Sequence, residues 1–196
     1  MGPEGGGRPP LALGIEPTEH VPGAYVQVLR IEGSELADPI RDHKVLRGPV
    51  SQQLRELDEL LPLNVSVAVS ATSGPTEVQR PDYPLQALVQ LARNAVLHRT
   101  YEGTNAPVRI TWFTDRVEVQ SPGGPFGQVT PENIGQPGVV DYRNPNLADA
   151  MHVLGFVQRF GIGIQVARRE LERNGNPALE FDANAGAVLV TLRPPS

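Results

Sequence analysis

Apolar side chains in this chain recur with two different periods. Between residues 83 and 101, Leu88, Leu91, Ala92 and Ala95 return at three- and four-residue steps, which predicts a helix with one apolar face. Pro84 suits its first position, with Asp82 or Tyr83 as the flanking cap. Residues 51–61 repeat the pattern in Leu54, Leu57, Leu60 and Leu61, a short helix expected to be capped by Ser51 and stopped by Pro62. Elsewhere the period is two. Residues 24–31 and 63–71 read as strands, the second because Val65, Val67 and Val69 alternate with Ser66, Ala68 and Ser70. Residues 108–113 and 116–120 read as a hairpin turning at Thr114-Asp115, with Val117 and Val119 on one side and Glu118 and Gln120 on the other. Helices over 147–157, capped by Asn146, and 164–174, closed by Gly175, follow. Strands over 179–181 and 187–193 end the pattern.

Three stretches have no period. Residues 1–10 are rich in Gly and Pro and read as disordered or tag-like. Residues 72–80 form a polar loop and the best internal boundary. Residues 126–146 carry Gly127, Gly135 and Gly138, and a loop of this length inside a compact domain usually serves as a lid or binding loop.

Composition narrows the function. The net charge is −5, and Lys and Arg nowhere cluster, so nothing argues for direct nucleic-acid binding. With no cysteine, disulfides and thiolate metal sites are excluded, which fits a cytoplasmic protein. No apolar run approaches the ~18 residues of a membrane-spanning helix. The single lysine, Lys44, stands against 16 arginines (17 basic residues less one), which reads as coding bias, not chemistry.

The central helix carries a second row: Gln90, Asn94, His98 and Tyr101. Amides, an imidazole and a phenol on one stripe depart from the Lys and Glu usual opposite a core. Two glycine turns join this row as candidate pieces of a site. Ser121-Pro122-Gly123-Gly124 closes a strand, and Gly161-Ile162-Gly163 opens a helix. Glycine lets backbone approach a ligand, and a helix N-terminus presents free N–H groups to a phosphate. Asn94 offers a carbonyl oxygen to a hard cation such as Mg2+. On spacing alone each piece also has a structural reading. Asn94 can brace a neighbouring loop, His98 and Tyr101 can anchor the following one, and Gly161 and Gly163 can make a tight helix–helix turn. Arg143-Asn144-Pro145 reads as a loop brace before a phosphate contact. Trp112 reads as core, and His20, His43, His152 and the Arg168-Arg169 pair as surface.

The order of these pieces resembles the GHKL or Bergerat ATP-binding fold of gyrase B, MutL and the histidine kinases. More closely, YPLQALVQLARNAVLHRTY, FTDRVEVQSPGG and NPNLADAMHVLGFVQRFGIGI resemble the C-terminal domain of RecG-related proteins, predicted transcriptional regulators with a Schlafen/AlbA-type domain. The resemblance covers about residues 11–193. It implies an α+β fold: a GHKL α/β sandwich, a mixed sheet with helices on one face. Residues 11–75 would be a small α/β connector that follows an absent AlbA-type domain, and 76–196 the ATP-binding domain, so that a fragment of a longer protein is expected. ATP and Mg2+ are the implied cofactors. Asn94 would hold the metal, with His98 beside it. Ser121, Gly123 and Gly124 would lie near adenine, Gly161 and Gly163 beside the phosphates, and the long loop would be the lid.

Departures from the family pattern decide the expected activity. Gln90 occupies the position of the general-base Glu, and an amide cannot accept a proton at neutral pH. The adenine-reading Asp is replaced by Ser121 or is missing, Asp115 lies too early, and Thr100 replaces the Asp of His-Arg-Asp-Tyr. The expectation is a nucleotide-binding regulatory module with weak or no hydrolysis and no catalytic residue. The alternatives are an interaction or dimerisation domain that has lost its ligand, and an ATPase serving a helicase-like DNA transaction. With no G-x-x-x-x-G-K-[ST] motif, a conventional helicase motor is excluded. DNA contact would come only through domains outside this chain.

Overall fold

The computed structural model describes residues 21–70, 78–158 and 161–195. A six-stranded sheet in the order β2-β1-β5-β6-β8-β7 forms its centre. Its strands are β1 (Val26–Ile31), β2 (Ile40–Leu46), β5 (Val108–Trp112), β6 (Val117–Pro122), β7 (Glu180–Ala183) and β8 (Ala187–Leu192). β1 and β5 run parallel, and every other neighbouring pair is antiparallel. A parallel pair needs a long crossover, and here that crossover carries α1 (Val50–Asn64) and α2 (Leu85–His98). β3 (Val67–Ser70) and β4 (Val78–Pro81) form a separate two-stranded ladder. The mixed sheet with helices packed on it is the α+β sandwich expected.

Helical spacing and strand alternation converge on one core. α1 contributes Leu54, Leu57 and Leu61, and α2 contributes Leu88, Leu91, Ala92 and Ala95. They meet Ile110, Val117, Val119, Val190 and Leu192 from the sheet. α4 (Gly163–Asn174) adds Ala167 and Leu171 and lies against α2. Each buried Leu or Val stabilises the fold by roughly 1.5–3 kcal/mol. Trp112 is in this core, as its strand position suggests.

Several boundaries move. α1 begins after Pro49, and its end residue makes no side-chain cap hydrogen bond, so Ser51 is inside the helix and not its cap. Pro62 also lies inside, with the helix running on to Asn64. β4 takes Val78, Gln79 and Arg80 out of the expected polar loop, because they pair with β3. The proposed boundary near residue 75 falls in 71–77, outside the described residues, as do residues 1–10. α3 (Pro145–Val153) starts two residues early, with Asn144 and not Asn146 at its cap. β2 carries no apolar alternation because it is an edge strand with all but Leu46 exposed.

Candidate functional site

α2 positions the polar row. Its apolar face is committed to the core, so Gln90, Asn94 and His98, four apart, rise on an adjoining stripe. Tyr101 leaves this row. It lies past the helix, its hydroxyl donates to the Val96 carbonyl at 2.8 Å, and the Arg99 guanidinium covers its ring. Its role is the loop anchor.

A cavity of about 130 Å³ opens beside the row, against ~10–15 Å³ for one water. Asn94 and His98 line it from α2, Ser121, Gly123 and Gly124 from the end of β6, and Gly161 and Gly163 from the start of α4. All seven residues selected from the sequence therefore meet at one cavity. The loop after β6 closes the far side with Phe126, Val129, Ile134, Val139 and Val140. Sequence reading missed these apolar walls, since none belongs to a periodic pattern, and it gave Phe181 a strand but no place in the site. The absence of any period across 126–146 was the one available signal.

The two glycine turns do different things. At the β6 end the Gly123 and Gly124 amides donate to the Gly186 and Ala185 carbonyls, at 2.8 and 3.2 Å. Gly123 has φ +89°, and a Cβ on Gly124 would lie 2.2 Å from the Asn184 carbonyl oxygen. These glycines let two chain segments touch, and their N–H groups are already used. Ser121 is also committed, its hydroxyl donating to the Ala95 carbonyl at 2.9 Å. At the other turn, α4 begins at Gly163, and the Val166 amide donates to the Ile162 carbonyl at 2.9 Å. A helix start leaves its first N–H groups without partners inside the helix. A Cβ on Gly163 would come within 2.9 Å of Asn94 Nδ2 and 3.0 Å of Gln90 Oε1. Glycine at this position thus allows the α2 amides to reach the α4 N-terminus. Asn94 Nδ2 is buried there without a hydrogen-bond partner.

The charge balance of the cavity is unusual. Among the described residues, no Lys or Arg lines it, and Asp141 is its single carboxylate. Both Asp141 oxygens accept backbone N–H groups, from Gln128 at 3.2 Å and Tyr142 at 2.8 Å, which ties it to its own loop. His98 stacks on Tyr142 with ring centroids 5.6 Å apart. Burial, with the Arg143 charge adding to it, lowers the His98 pKa to about 4, so the imidazole is neutral at pH 7. Arg143 donates to the Gly124 carbonyl at 2.9 Å and covers the Phe126 ring, the brace expected. No group of three His, Cys, Asp or Glu side chains suited to a metal occurs among the described residues.

A mixed sheet under helices, with a cavity between α2, the β6 end and the α4 start, defines an ATPase-like α+β sandwich. Residues 105–192 match the family described as "Putative ATP-dependent DNA helicase recG C-terminal", the RecG-related family that the motifs resemble. Among solved structures, the DIP2311 protein from Corynebacterium diphtheriae is similar in fold, with a TM-score of 0.73 and 22% sequence identity. The match covers 87% of this chain and 34% of that one. No curated protein matches the chain.

Proposed function

We propose that this domain binds ATP, with weak or no hydrolysis, as a regulatory module of a RecG-related protein. The observation that carries the reading is the meeting of Asn94 with the α4 N-terminus inside an apolar cavity. The apolar walls suit a planar base. Backbone N–H groups and the positive end of the α4 dipole suit phosphates, where no Lys or Arg lines the cavity among the described residues. The residues also fit Mg2+: the Asn94 amide would hold it by its oxygen, the remaining positions falling to phosphate and water. The bound ion would neutralise phosphate charge. Gln90 stands beside Asn94 at this end of the cavity, and an amide there cannot take a proton from water.

The division at residue 75, drawn within one shared sheet and core, the Schlafen/AlbA-type setting, DNA contact through other domains and a cytoplasmic location belong to this proposal. No helix among the described residues is long and apolar enough to cross a membrane. Isothermal titration with ATP and Mg2+ tests it. Wild type is expected to bind and Asn94→Ala to lose binding. Absence of heat at millimolar nucleotide, with both proteins alike, would leave the domain as an interaction or dimerisation module. Gln90→Glu is expected to raise turnover by a factor on the order of 10²–10⁴, the range a placed general base supplies. An unchanged rate in a variant that still binds ATP would show that position 90 does not face the attacking water.

A further inference from the structure

The loop over 126–144 ends in a run of four residues, 141–144, each tied to α2 or to the β6 end. Asp141 and Tyr142 meet His98, the first through its backbone and the second by ring stacking. Arg143 donates to the carbonyl of Gly124, at the β6 end. Asn144 has the strongest attachment. Its Nδ2 donates to the Leu97 carbonyl at 2.7 Å and the Arg99 carbonyl at 2.8 Å, 47 and 45 residues away. Those carbonyls belong to the last turn and cap residue of α2, where a helix leaves C=O groups unpaired. The Asn144 carbonyl in turn accepts the Ala148 amide at 2.9 Å, starting α3. One residue therefore joins the end of the helix bearing Asn94 and His98 to the root of the loop that walls the cavity.

We propose that Asn144 is a positioning residue, pinning the root of the cavity loop to the α2 C-terminus so that Asp141 and Tyr142 are held against His98. This rests on the reading of the cavity as a ligand site, but its first readout needs no ligand. The groups facing His98 are Asp141, Tyr142 and Arg143, and all three follow the loop root.

In the free protein, Asn144→Ala removes both donors. Amide hydrogen exchange at residues 97–100 and 141–144 is expected to rise by about tenfold or more, for two lost hydrogen bonds. The His98 ring, followed by NMR, is expected to titrate roughly one unit above about 4, towards the ordinary histidine value. A loss of global stability alone would not move that titration in the folded state. Asn144→Asp, which sets a carboxylate against two carbonyls, is expected to move both signals further. Asn144→Ser, which keeps one hydroxyl donor, provides a milder variant should the others fail to fold, and its signals are expected to lie between. Local exchange and His98 titration both unchanged in a folded variant would overturn the proposal. Nucleotide titration separates the two readings. Wild type that ignores ATP while the Asn144 variants shift both signals sinks ATP binding and keeps the positioning role. Wild type that binds ATP while the variants leave both signals alone does the reverse.

Discussion

Gly163 shows how much one missing methyl group does. Alanine there would favour the helix by about 1 kcal/mol. Its Cβ would also push into the Asn94 and Gln90 amides, at 2.9 and 3.0 Å. The two effects separate by measurement. Gly163→Ala is expected to melt no lower than wild type, yet to bind ATP about tenfold or more weakly, a contact loss near 1.4 kcal/mol. Unchanged affinity would show that the α2 amides take no part in binding. His98 makes a second residue-level prediction. Its folded pKa of about 4 lies below the unfolded 6.5. The unfolded chain therefore binds the proton first as pH falls, and this group's contribution to stability is lost from pH 6.5 downward. The full loss, below pH 4, is on the order of 3 kcal/mol. Urea denaturation of wild type and His98→Gln at pH 7.5 and 4.5 checks the sign: wild type is expected to lose more stability between the two.

At the scale of elements, Arg99 does most to hold the α2 end in place. It is 1% exposed, and carbonyl oxygens meet its buried charge. Its guanidinium donates instead to the carbonyls of Gly23, Thr100 and Ala106, joining the approach to β1, the α2 end and the loop before β5. Burial lowers its pKa, but the group remains charged. Arg99→Ala would leave a cavity and unpaired buried carbonyls, and is expected to cost about 3–5 kcal/mol in chemical denaturation. A cost below about 1 kcal/mol would mean that water replaces the guanidinium. The same buried hub explains why His98-Arg99-Thr100-Tyr101 reads as a motif: only His98 turns to the cavity, while Arg99 and Tyr101 hold backbone.

For the whole molecule, the parallel pairing of β1 with β5 is decisive. β1 and β2 and the apolar face of α1 come from residues 26–64, yet they complete the sheet and the core that α2 and β5 begin. A chain of residues 76–196 would lose the β1 partner of β5 and the Leu54, Leu57 and Leu61 layer over α2. It is expected to show no cooperative thermal transition by circular dichroism. A sharp transition close to that of the intact chain would establish 76–196 as an independent folding unit.

Periodicity alone determined which segments become helix and strand, because each buries one face and its apolar spacing records that face. It placed the Val117/Val119 alternation on β6, the leucines of α1 and the amide row of α2. It also isolated the glycines, which mark places where side chains do not fit. It did not reveal β2, whose exposed edge leaves no face to encode, nor β4, whose partner lies across a loop. It set the caps of α1 and α3 wrongly, because Ser51 and Asn146 look like caps and neither occupies the helix end. What only the tertiary structure decided is which polar groups are free and which are committed. Ser121, Gly123 and Gly124 look like ligand contacts in sequence, and the Ser121 hydroxyl and both glycine amides are hydrogen-bonded within the protein. Asn94 Nδ2 is not. Such a difference arises between segments remote in the chain, where hydrogen-bond geometry depends on the packing of the whole sheet and its helices.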